Sequence, residues 1–126
     1  MRVGSVLTGA AGRIQEVWDE WAKLTGRQYY PVERHLTEGA EILLLTMGTL
    51  TEVAEIAVEE MRAAGLPVGL ISIRQWRPFP FAALREAVGD AKLLIVCDRA
   101  LSLGGPGGPV PARRSGASGS PPRPAR

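Results

Sequence analysis

The sequence predicts an α/β protein, and three observations predict it. Residues 41–47, 68–73 and 93–97 are short, nearly unbroken apolar runs, the signature of strands buried on both faces. Helical apolar spacing fills the two gaps between them, so strands and helices alternate. Alternation of that kind builds parallel βαβ units with right-handed crossovers. The third observation is an Arg-x-x-Arg-Pro-Phe-Pro run over residues 74–80, where the second strand hands over to the second helix.

Each element has its own local reason. Ile14, Val17, Trp18, Trp21 and Leu24 fall on one stripe of an amphipathic helix, and Gly26 follows as a stop. The stripe suits core or interdomain packing better than base stacking. Residues 29–33 read as a short extended piece that Pro31 confines to an edge or turn. After the 41–47 strand, Gly48 breaks the chain. Thr49 and Glu52 have the spacing of a capping box, in which each side chain satisfies an amide of the first turn. Val53, Ile56, Ala57, Met61 and Ala64 are the expected buried stripe of that helix, and Gly65 ends it. Pro80 fits a first helical turn, where its missing N–H costs nothing. Phe81, Leu84 and Val88 give the next helix its inner face, and Gly89-Asp90 closes it before the last strand.

Composition narrows the function classes. The chain has 126 residues, enough for one domain, and no apolar run of the ~20 residues a membrane helix needs. A single cysteine excludes an internal disulfide and any zinc or iron–sulfur site built from paired cysteines. A reducing, cytoplasmic location is therefore expected. The pI of about 9.1 comes from the tail. Residues 104–126 hold four Arg and no acid, leaving 11 basic and 13 acidic groups before them, a net of −2. With six Gly and six Pro in 23 residues, the tail is expected to be disordered, and without aromatic groups it gives little sign of nucleic-acid binding.

No nucleophile set assembles, so no catalytic residue is expected. In open α/β sheets ligands sit beyond the carboxyl ends of the strands. Here those ends carry Gly48 and Thr49, Arg74 and Arg77, and Asp98 and Arg99, which become the candidate anion or interface contacts. Gly48-Thr49 resembles an ordinary cap more than a phosphate cradle, since one Gly is no Gly-rich loop. For Arg74, Arg77 and Arg99, pairing with Asp98, neighbouring acids or a partner surface is favoured over substrate binding. Cys97 ends an apolar strand and is expected to be buried and inert. His35 is expected to be a solvated loop residue.

Taken in order, Gly26-Arg27-Gln28-Tyr29, Met47-Gly48-Thr49, Gly65, residues 74–80 and Asp98-Arg99 with its Gly-rich continuation resemble one known family. It is the alpha subunit of pyruvate:ferredoxin oxidoreductase and related 2-oxoacid:ferredoxin oxidoreductases, in core domain II, over about residues 14–110. The resemblance implies a three-layer α/β/α domain similar to the C-terminal domain of transketolase, with a mostly parallel sheet. Strand 41–47 would be central, flanked by 68–73 and 92–97, with 29–33 as an antiparallel edge. The parent enzyme would use thiamine diphosphate, Mg2+, iron–sulfur clusters and coenzyme A, none bound by this chain. Its partners would be the other domains or subunits of the oxidoreductase, of beta, gamma and delta type, and ferredoxin only through the whole enzyme. Neither a membrane nor nucleic acid is an expected partner.

The family pattern continues past residue 110 with a helix and a strand that residues 111–126 do not contain. The expectation is a partial domain over residues 13–110, a non-native segment over 1–12 and a tail produced by truncation or a shifted reading frame. The encoding DNA would restore apolar periodicity in another frame if that is so. An incomplete sheet with open apolar faces implies marginal stability or aggregation without a partner. The functional expectation is a structural, subunit-contact role in oxidative decarboxylation of a 2-oxoacid, with pyruvate foremost. The alternative is a free-standing module binding an anionic ligand between Gly48-Thr49 and Arg99.

Overall fold

A computed structural model describes the backbone of residues 3–100 and the side chains of residues 9–100. The tail and the Gly-rich continuation after Arg99 lie outside the described residues. In chain order the elements are α1 (Val3–Thr25), β1 (Val32–His35), β2 (Ile42–Met47), α2 (Leu50–Ala63), β3 (Val68–Ile73), α3 (Phe81–Val88) and β4 (Leu93–Val96). The sheet order is β1-β3-β2-β4. β2 pairs in parallel with both β3 and β4, and β1 runs antiparallel along β3. With α2 on one face and α3 on the other, this is the three-layer α/β/α arrangement with a central 41–47 strand.

Strand alternation sends side chains to two cores. Leu43, Leu45, Ile71, Ile73 and Val32 pack under Leu84 and Ala87 of α3, whereas Val68 and Leu70 pack under Val58 of α2. β3 is buried along its whole length. β4 is covered on one face only: Leu94 and Val96 join the α3-side core, but Leu93 and Ile95 remain 50% and 41% exposed beside Ile42 and Leu44.

β1 and β2 are not neighbours, so the chain between them must pass the end of β3. Gly69 makes room for it. A Cβ there would lie 2.7 Å from the Leu36 carbonyl and 3.0 Å from Leu43 Cδ2. Arg62 fastens the same crossing, its Nη2 donating to the Leu36 and Glu38 carbonyls at 2.6 Å and its Nε to the Val68 carbonyl at 2.7 Å.

Several element-level expectations need correction. Thr49 does not cap α2: it already has helical φ and ψ (−62°, −19°), and its hydroxyl makes no capping bond. The positive φ of Gly48 (69°) makes the turn instead. The buried face of α2 is also different: the expected stripe shares only Met61 with the core residues found there. Ala54, Val58 and Met61 face the sheet, while Val53 and Ile56 are 66% and 62% exposed. Residues advance about 100° each round a helix, and both sets are helically spaced. Only docking chooses between them. Gly65 does stop α2, with its N–H on the Arg62 carbonyl and the Leu66 N–H on the Met61 carbonyl, a paired 5→2 and 6→1 closure. Pro80 sits one residue before α3, at the cap position.

α1 begins at Val3, well before the expected start, and runs 23 residues. Gly26 stops it with φ 73° and its N–H on the Ala22 carbonyl. Its apolar stripe does not pack on the sheet, and among the described residues none of its side chains enters either core. One polar tether is present. The Asp19 carboxylate accepts Nε2 of Gln15 and Nε2 of Gln28, each at 2.9 Å. These two bonds, Gln15 first, hold the exposed Asp19 carboxyl below its ordinary pKa.

Candidate functional site

The carboxyl ends of β2 and β3 open into a cleft of about 440 Å³ lined by Gly48, Thr49, Arg74, Glu33, Glu52 and Glu55, among others. Three of the six candidate residues therefore meet in one place. Arg77, Asp98 and Arg99 do not line it. Arg77 and Arg99 are exposed elsewhere, and Asp98 bends back to accept the Ala100 N–H at 3.1 Å.

Electrostatics decide what the cleft can hold. Arg74 is not aimed at a ligand. Its Nε and Nη2 form a two-pronged fork on Glu33 of β1, both bonds 2.8 Å, and its guanidinium lies 4.5 Å from the Tyr29 ring centroid. The Glu33 bonds push the Arg74 pKa above its ordinary value, so it remains charged. Of the partners expected for it, an acid other than Asp98 is the one found: β1 lies against β3 and brings the Glu33 carboxylate alongside. With Glu33 matching Arg74, Glu52 and Glu55 leave the cleft net negative. A diphosphate or carboxylate would meet repulsion there.

Beneath the cleft the hydroxyls of Thr46, Thr51 and Ser72 form a ladder, each neighbouring pair 3.0 Å apart. Thr46 is fully buried and Ser72 nearly so, and the ladder satisfies polar groups that burial would otherwise penalise. These residues were not singled out by sequence. They come from β2, α2 and β3 and have no common spacing.

The Arg-Pro-Phe-Pro run proves to be an anchor. Trp76 and Phe79 meet edge to face at 5.4 Å between centroids, Phe79 and Phe81 lie 4.7 Å apart, and Trp76 and Phe79 pack on the α3-side core. Buried Gln75 donates Nε2 to the Pro78 carbonyl at 2.7 Å, and the Arg77–Pro78 peptide is cis. A larger open cleft of about 800 Å³ lies between the 27–31 loop, β1 and α3, with Arg27, Tyr29, Tyr30, Arg34 and Glu86 on its walls. Arg34 there is engaged by Glu86 at 2.7 Å.

Two single-residue expectations change. His35 belongs to β1 and is only partly exposed, with Nε2 3.2 Å from Glu59 Oε1 but without hydrogen-bond geometry. Cys97 is partly exposed, not buried, and its N–H donates to the Leu45 carbonyl at 2.9 Å, extending the β2–β4 pairing.

Among the described residues no three Cys, His, Asp or Glu side chains converge as metal ligands, and Cys97 is the chain's sole thiol. An iron–sulfur cluster needs several thiolates. The described donor set does not fit one. Nor does the acidic cleft fit the diphosphate of a thiamine cofactor. No helix among the described residues is long and apolar enough to cross a membrane.

Comparison with known proteins agrees with the order of motifs. The profile of pyruvate:ferredoxin oxidoreductase core domain II matches residues 40–115. The alpha subunit of NADH-dependent phenylglyoxylate dehydrogenase from Aromatoleum evansii is 41% identical over 98 residues, which is 77% of this chain and 24% of that protein. Pyruvate synthase subunit PorA is 34% identical over 91 residues in Pyrococcus furiosus and 35% over 89 in Thermotoga maritima, in each case over 23% of the relative and 72% or 71% of this chain. The chain thus spans about a quarter of the length of the curated relatives it matches. With that match covering β2 through β4, the chain belongs to the pyruvate:ferredoxin oxidoreductase core domain II family.

Proposed function

We propose that this chain serves as core domain II of the alpha subunit of a 2-oxoacid:ferredoxin oxidoreductase and that its role there is contact with other domains and subunits. The parent reaction is oxidative decarboxylation of pyruvate, or a close 2-oxoacid, to the acyl-coenzyme A with electrons delivered to ferredoxin. Thiamine diphosphate, Mg2+, iron–sulfur clusters and coenzyme A are held by the rest of that enzyme.

One observation carries this reading: the apolar surface left uncovered by the domain itself. Leu93 and Ile95 of β4 lie open on the α2 side of the sheet. Val53 is exposed on the flank of α2 opposite Glu59, and Glu59 approaches β1 at His35. Leu93 and Ile95 make an apolar ledge on β4 of the kind that marks a protein contact, and Val53 adds a further uncovered apolar side chain on α2. The acidic cleft argues against the anion-binding alternative.

Co-expression of the full chain with the remaining subunits of such an enzyme tests the proposal. The chain should co-purify with them, and alone it should show no pyruvate- and coenzyme-A-dependent reduction of ferredoxin. Turnover by the isolated chain, or absence of any complex, would refute it. The contact role fits a cytoplasmic enzyme, and localisation of the tagged chain checks that.

A further inference from the structure

We propose that α1 is a self-recognition element that pairs antiparallel with α1 of a second copy of this chain. Ala10, Ile14, Val17, Trp21 and Leu24 recur at alternating steps of four and three, a coiled-coil seam in which Ile14 and Trp21 occupy a positions and the others d. The seam is open: Val17, Trp21 and Leu24 are 55%, 48% and 82% exposed. The tether to the rest of the chain does not compete for it. Asp19, which bonds Gln28, stands at the f position, diametrically across the helix from the seam.

The occupant is argued from complementarity. In an antiparallel pair a positions face d positions. Ile14 then opposes the second copy's Val17, and Trp21 opposes its Ala10, a large residue meeting a small one. The flanking g positions carry Arg13 and Glu20, of opposite sign. In the antiparallel register with those layers, g faces g, so each Arg13 meets the second copy's Glu20, giving two such contacts per pair. A parallel pair would not bring these g positions together. On the other border Trp18 faces the second copy's Ala11. Arg13 already touches Glu16 of its own helix at 2.8 Å, but both side chains are highly exposed, and a pair of that kind holds Arg13 weakly. Gly9 and Gly12 face open space and weaken a solitary helix, so α1 gains from a companion.

Sedimentation velocity of the full chain tests this, with the Glu20→Arg variant and the exchanged Arg13→Glu/Glu20→Arg variant beside it. All substituted positions are exposed, so the sheet domain is undisturbed. The native chain should form a dimer at tens of micromolar. Glu20→Arg places two like charges together at each of these two contacts and should weaken dimerisation about tenfold or more. The exchange should restore it. A monomeric native chain up to about 0.5 mM, far weaker than a specific pair requires, would overturn the proposal. So would a dimer indifferent to Glu20→Arg or one that the exchange fails to recover. The proposal stands on the residues of α1 alone, so it holds or fails independently of the oxidoreductase role.

Discussion

At Gly69 a missing side chain decides whether the chain can cross from β1 to β2. The space a Cβ would fill is occupied by the Leu36 carbonyl, which is backbone and cannot swing aside. A glycine inside a strand pattern is a legible hint of such close approach, but the partner loop is 33 residues earlier and not identifiable from spacing. Gly69→Val should lower stability by about 1–3 kcal/mol or prevent folding, the usual cost of overpacking. A denaturant midpoint indistinguishable from that of the native chain would show that the crossing does not need this space. Arg74 teaches the same lesson about charge. Its place at a strand end was readable from sequence, whereas its commitment to Glu33 required β1 to lie beside β3.

Among the elements, α2 separates local from long-range information most cleanly. Its extent and its Gly65 stop follow from periodicity and glycine chemistry within a few residues. Its capping and its buried face do not. The Thr-x-x-Glu spacing at Thr49 suggests a cap, yet the hydroxyl that matters belongs to Thr51, which reaches down to Thr46 and Ser72. Thr51→Val should therefore destabilise by about 1–3 kcal/mol, since it leaves buried hydroxyls short of a partner. Thr49→Ala should change stability by less than about 0.5 kcal/mol, as for an exposed residue without a specific contact. Thermal or chemical unfolding of the two variants distinguishes ladder from cap, and the reverse order of effects would reinstate the capping box.

The whole molecule is a sheet domain whose coverage is uneven. α3 and one face of α2 seal the two cores, while β4 stays half open and α1 stands apart. Such exposed apolar surface promotes association. Leu93→Lys combined with Ile95→Lys should reduce light scattering by the isolated chain at a stability cost of no more than about 2 kcal/mol, because both side chains are already about half exposed and lysine keeps an alkyl stem on the sheet. The same pair should abolish co-purification with the other subunits if the ledge is the contact surface. Unchanged aggregation would point to a different sticky face.

The sequence by itself determined the class of fold, the places of β2, α2, β3, α3 and β4, the glycine stops and the family. The elements and their stops are written in apolar period and turn chemistry over stretches of fifteen residues or fewer, and the family in the order of motifs along residues 14–110. The tertiary structure alone decided that Ala54 and Val58 are inside while Val53 and Ile56 are outside, that Glu33 claims Arg74, and that Gly48 and Thr49 share a cleft with Arg74 but not with Arg77, Asp98 or Arg99. Burial and pairing are properties of two surfaces brought together. A single strand or helix, whatever its pattern, does not contain the second surface.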